Sequence, residues 1–173
     1  KDPLFPDVTT GSDFDMQARV LCRFFRTFTL SEAFRRLSEG SLPRRSVAIT
    51  FDDGYLDNLE VAFPLLERYR LPATFFVATG FLSGENMWND RIIEAVRRFP
   101  GDALDLQSSG IQKLDTSNAA NRRRAIDTLI AKLKYVEEPQ RSELVDCVVS
   151  AAGGQHSANL MMSEKDLQVL AGA

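Results

Sequence analysis

Apolar positions recur along this chain with two different periods, and each change of period marks an element. Phe14, Ala18, Leu21 and Phe25 fall on one helical face, which predicts a first helix with Ser12 as its N-cap. Leu30, Ala33, Phe34 and Leu37 repeat the pattern. There the Thr29/Glu32 pair predicts a capping box and Gly40 a C-terminal stop. From Ser46 to Phe51 the helical period gives way to a short β-branched run, which predicts a strand buried on both faces. Residues 57–70 turn helical again, and Pro64, which lacks a backbone donor, predicts a kink or restart inside them. Residues 73–79 read as the next strand. The strand–helix–strand order then predicts a parallel pair with a right-handed crossover.

The second half is richer in helical pattern. Helices are expected over 88–99, 118–136, 139–152 and 163–170. Pro139 stands in the first turn of one, Gly153-Gly154 ends it, and Ser163/Asp166 caps the last. Between them Leu104, Leu106, Ile111 and Leu114 suggest a small hairpin around Ser109-Gly110. The whole is an α/β chain whose second half is mostly helical.

Composition narrows the classes. The chain has 173 residues, 44% apolar and 26% charged, enough for one domain with a substantial core. A net charge of −3 gives no argument for nucleic acid or an anionic membrane surface. No apolar run approaches the roughly 20 residues that span a bilayer. Cys22 and Cys147 fall among apolar neighbours and read as small core residues rather than a disulfide. Arg122-Arg123-Arg124 and Arg35-Arg36 read as solvated helix faces, and His156 as a loop residue in a polar stretch.

The candidate chemistry sits where the first strand ends. Val47-Ala48-Ile49-Thr50-Phe51 runs directly into Asp52-Asp53-Gly54-Tyr55. Strand C-termini in α/β folds form the rim where ligands bind. Two adjacent carboxylates on such a rim repel unless a cation or a shared proton intervenes. The string therefore reads as a metal site with one carboxylate as ligand and the other as base. On an extended strand neighbouring side chains point to opposite sides, so divided roles require the strand to end or turn here. The same three residues also suit an ordinary turn, because Asp and Gly favour its backbone angles.

Thr50-Phe51-Asp52-Asp53-Gly54-Tyr55 resembles the first motif of the polysaccharide deacetylases, the carbohydrate esterases with a NodB homology domain. Leu71-Pro72-Ala73-Thr74-Phe75-Phe76-Val77 is similar to that family's second strand. The resemblance covers about residues 14–88. It implies a partial distorted (β/α) barrel, with a helical insertion over about 89–161 and the start of the next α/β unit at 162–173. It also implies removal of N-acetyl groups from N-acetylhexosamine units of a polysaccharide, with a divalent metal, zinc first, as cofactor. By position Asp52 would be the general base and Asp53 a metal ligand. Tyr55 and Trp88 are candidates for sugar contact, Trp88 because an indole can stack on a pyranose face.

The family completes its metal site with a His-x-x-x-His motif, whereas this chain has one histidine. One carboxylate cannot hold a catalytic zinc, which takes about three protein ligands. The expectation is thus a fragment of the domain, binding metal weakly or not at all and inactive alone. A cut parallel sheet would leave an open edge, so self-association is expected as well. The competing reading from another class is a non-catalytic relative that binds glycan or a partner. Magnesium-dependent phosphoryl transfer is weaker, because no Gly-rich phosphate loop accompanies the carboxylates.

Overall fold

The structure, a computed structural model, describes residues 2–154 and 159–172. His156 lies outside the described residues. The chain divides into two compact units, one of residues 9–85 and 159–173, the other of residues 1–8 and 86–158.

The first unit carries a parallel three-stranded sheet in the order β1 (Arg26–Phe28), β2 (Ser46–Phe51), β3 (Ala73–Phe75). β2 is central and pairs by halves. Its start lies against β1, with Arg26 opposite Ser46, and its end against β3, with Phe51 opposite Phe75. Helices α1 (Gly11–Phe24) and α2 (Leu30–Ser38) precede β2. A π-helical segment, Asn58–Ala62, then runs into α3 (Phe63–Tyr69). Pro64 sits in the first turn of α3, so the interruption expected there is a change of helix type followed by a restart. Among the described residues the sheet does not close into a barrel. Mixed helix and strand is what the chain shows.

The core of this unit is small. Ala18, Leu66 and Leu71 are buried, with Phe14, Leu21, Ile49, Phe51 and Phe75 packed around them. The expected α1 face is therefore real. Its cap is Thr10 rather than Ser12, because the Thr10 hydroxyl accepts from the Asp13 N–H while the Asp13 carboxylate accepts from that of Thr10. Tyr69 on α3 donates to Asp15 on α1 at 2.7 Å and locks the two helices together. That hydrogen bond, with the Arg19 and Arg68 guanidinia, holds the Asp15 carboxyl below its usual range.

Several expectations are corrected here. β2 is half-buried rather than buried on both faces, because the core it packs on is small. α2 buries none of its residues, and Phe34 and Leu37 are 72% and 63% exposed. Its Thr29 cap forms, but Glu32 turns away to Arg35 and Arg36 instead of closing the box. β1 has only three residues, too few for periodicity to reveal. β3 ends at Phe75 and is followed by a 3-10 turn, Thr79–Phe81.

The second unit is mainly helical: α4 (Trp88–Arg98), α5 (Ala119–Leu133) and α6 (Glu138–Ala151) around a short hairpin of β4 (Ala103–Leu104) and β5 (Leu114–Asp115). The four residues expected at the hairpin, Leu104, Leu106, Ile111 and Leu114, are all buried with Ile92, Val96, Ile126, Leu129, Leu133, Val145 and Val148. Cys147 is exposed, because Val145, Val148 and Val149 define the inner face of α6 and position 147 lies outside it. Cys22 is likewise exposed, beside and not on the inner face of α1. The arginine triplet is not simply solvated. Arg122 donates to the carbonyls of Val96, Phe99 and Arg97 at 2.7, 2.6 and 3.3 Å and so caps the end of α4. Arg123 stacks over the Phe5 ring at 4.4 Å and donates to the Leu4 carbonyl.

Candidate functional site

The site grows out of the end of β2. Phe51, its last residue, is stacked on Phe75 at 4.9 Å and meets Phe14 edge-on at 5.8 Å. Aromatic contacts on two sides fix the strand end. Beyond it the chain turns at once. The Gly54 N–H donates to the Asp52 carbonyl at 2.8 Å while Asp53 takes φ 69°. A two-residue hydrogen bond around a positive φ is the rare, strained form of γ-turn. The strand therefore ends at the first carboxylate and turns at the second, and both residues are exposed at the C-terminal rim of the central strand.

Three further contacts hold the turn. The Ala78 N–H donates to the Asp53 carbonyl at 3.0 Å, which extends the β3 side past its last paired residue. The Met162 N–H donates to the Gly54 carbonyl at 3.0 Å, and the Leu56 N–H to the Leu160 carbonyl at 2.8 Å. Gly54 itself is dictated twice over. Its φ is 83°, and a Cβ there would lie 2.8 Å from Val77 Cγ1. Strain of this kind persists only where the surroundings enforce it, and it clusters at functional sites.

Tyr55 follows the turn, half-buried, and bridges antiparallel to Met161. Sequence reasoning missed Asn58. It is buried at 8% exposure on the π segment, its N–H donates to the Tyr55 carbonyl, and its side-chain Nδ2 has no partner. A π segment beside a site is a recurrent functional device, but period counting does not detect it. Residues 160–162 were missed too as part of the site, although the apolar Met161-Met162 pair ahead of a capping serine was the available signal. Trp88 belongs to the helical unit. There it packs against the core, with the Arg141 guanidinium 5.3 Å from its ring centre.

A metal needs converging ligands. Among the described residues no group of three or more His, Cys, Asp and Glu side chains is placed to hold one. Asp52 and Asp53 are hard oxygen donors suited to a divalent cation. As they stand they do not amount to the three protein ligands of a catalytic zinc. No helix among the described residues is long and apolar enough to cross a membrane.

Comparison with known proteins follows the same residues. The family model for polysaccharide deacetylase matches residues 39–125, about half of the chain. The match begins later than the resemblance read from the sequence and continues into α5. The chain is 39% identical over 79 residues to the poly-beta-1,6-N-acetyl-D-glucosamine N-deacetylase of Staphylococcus aureus strain MSSA476, covering 45% of this chain and 27% of that protein. The enzyme of the same name from Staphylococcus epidermidis is 39% identical over 81 residues, 46% of this chain and 28% of that protein. The chain thus spans little more than a quarter of the curated relatives it matches. No solved structure matches significantly. With its Asp-Asp-Gly turn at the end of the central strand and half its length matched, the chain belongs to the polysaccharide deacetylase family.

Proposed function

We propose that the protein carrying this chain is an N-deacetylase of a polysaccharide built from N-acetylhexosamine units, and that this segment supplies its base and one metal ligand. The observation that carries the reading is the strained turn at the end of β2, in which Asp52 and Asp53 are both exposed within the stretch that resembles the family's motif. In this reading the Asp52 carboxylate takes the proton of the water that attacks the acetyl carbonyl. The amide C–N bond then breaks, the nitrogen leaves with a proton, and acetate is released. Asp53 is one ligand of a divalent cation, whose Lewis acidity polarises the carbonyl when it is bound. The remaining ligands are not among the described residues, and the sheet is read as part of a (β/α) barrel whose other strands lie elsewhere. Tyr55 beside the turn and Trp88 in the helical unit are the aromatic groups proposed for sugar contact.

Acetate release from poly-β-1,6-N-acetylglucosamine is the test, made on the protein and on its Asp52→Asn variant. Loss of a general base lowers the rate about 10²-fold or more, with circular dichroism unchanged. Asp53→Asn should weaken zinc retention in equilibrium dialysis. Glycan binding without acetate release would instead make the protein a binding relative of the deacetylases, and unchanged turnover in Asp52→Asn would remove Asp52 as the base.

A further inference from the structure

The two hydrogen bonds that clamp the Asp turn from outside lead directly into the walls of a groove. Ala78, which donates to the Asp53 carbonyl, is followed by the 3-10 turn Thr79–Phe81. Met162, which donates to the Gly54 carbonyl, is followed by helix α7 (Glu164–Ala171). Between that turn and the start of α7 lies an open groove of about 560 Å³, lined by Thr79, Gly80, Leu82 and Ser83 on one side and by residues 163–165 on the other. Such a volume suits a ligand about the size of a monosaccharide or a disaccharide.

The lining is specific about chemistry. Thr79 and Ser83 are exposed hydroxyls that can donate and accept. Glu164 and Lys165 add one charge of each sign, so the groove has no net charge to attract an anion. The Ser163 hydroxyl is committed to the α7 cap, where it donates to Asp166 at 2.6 Å. Leu82 is half-buried and gives an apolar wall. Neutral hydroxyls with one apolar side and a balanced charge pair match a neutral, hydroxyl-rich sugar with a flat apolar face.

We propose that this groove is a subsite for the sugar unit next to the one at Asp52 and Asp53, with Thr79 and Ser83 as its hydrogen-bonding residues. The proposal rests on the deacetylase reading above and adds a specificity element to it. Ala78 and Met162, the clamps of the turn, directly precede the two walls of the groove, so an occupied subsite holds the neighbouring unit in register with the carboxylates.

Titration calorimetry of the protein with the β-1,6-linked N-acetylglucosamine monomer and tetramer tests it. The tetramer should bind more tightly than the monomer. A Thr79→Val/Ser83→Ala variant, altered only at exposed positions, should lose about ten-fold in tetramer affinity, the effect of two modest hydrogen bonds, with the monomer unaffected. Gly80→Leu should do the same by bulk, because a Cβ at Gly80 meets nothing within 4 Å, with circular dichroism compared against the wild type. Tetramer binding at wild-type strength in both variants overturns the subsite while leaving the deacetylase reading intact. A wild-type protein that binds neither sugar overturns both.

Discussion

Asp53 is an L-residue in a conformation that favours glycine, and it occupies one of the two positions where the proposed chemistry needs a carboxylate. The strain can be isolated by comparing two substitutions that both remove the carboxylate. Asp53→Gly should be more stable than Asp53→Ala by about 1 kcal/mol, because only glycine is indifferent to the sign of φ. Equal urea midpoints would mean the turn is relaxed there. Gly54→Ala adds a methyl group against Val77 and should cost about 2 kcal/mol in the same measurement. The turn's location and the need for Gly54 were legible in the sequence, since a β-branched run meeting Asp-Asp-Gly is a local signal. The positive φ of Asp53 was not, because it depends on Ala78 and Met162 reaching in from distant parts of the chain.

Individual helices show where pattern reading succeeds and where it stops. Ser163/Asp166 closes the box its spacing promised, because capping depends on neighbours three residues apart. Thr29/Glu32 closes only halfway, because Arg35 and Arg36 offer Glu32 stronger partners. Hydrogen bonds from those guanidinia lower the Glu32 carboxyl from 4.5 to about 2. A depressed folded value means the stabilisation is fully present above pH 4.5 and disappears as pH falls through about 2. Glu32→Gln should therefore flatten the acid limb of stability over that window, read as the urea midpoint against pH. The effect should be small because the group is largely solvated. The arginine triplet was misread for a related reason: charge runs reveal their composition but not their partners. Arg122→Ala strips three carbonyl contacts from the end of α4 and should destabilise the protein by about 2 kcal/mol, with Arg122→Lys recovering part of it.

At the scale of the molecule the two units differ in how much apolar surface they hide. The helical unit buries a continuous set from Leu4 to Ala152, whereas the sheet unit buries few residues and leaves apolar faces in solvent. Met16, Val20 and Phe24 form a stripe along α1, and Phe34 and Leu37 another on α2, all exposed. Periodicity correctly found that α2 has an apolar face. It could not say what, if anything, covers that face. Contiguous exposed apolar surface promotes association. Light scattering should show this chain self-associating as concentration rises, and Phe34→Glu/Leu37→Glu should shift it toward monomer. A wild-type chain that scatters as a monomer at high concentration would contradict this.

The bond between Met162 and Gly54 has a consequence for how the chain acquires its site. The sheet unit is discontinuous: the backbone leaves it after residue 85 and returns at 159. During synthesis the Asp turn must wait, with one of its clamps missing, until the whole intervening segment has emerged. The entropy of closing that excursion grows only logarithmically, about 0.6 kcal/mol for each doubling of its length. The segment between the two passes can therefore grow, shrink or be exchanged at small thermodynamic cost, provided that residues 160–162 still arrive beside Gly54. What the order of synthesis fixes is timing: the clamp on Gly54 can close only once residues 160–162 have been made, last of the segments that hold the turn.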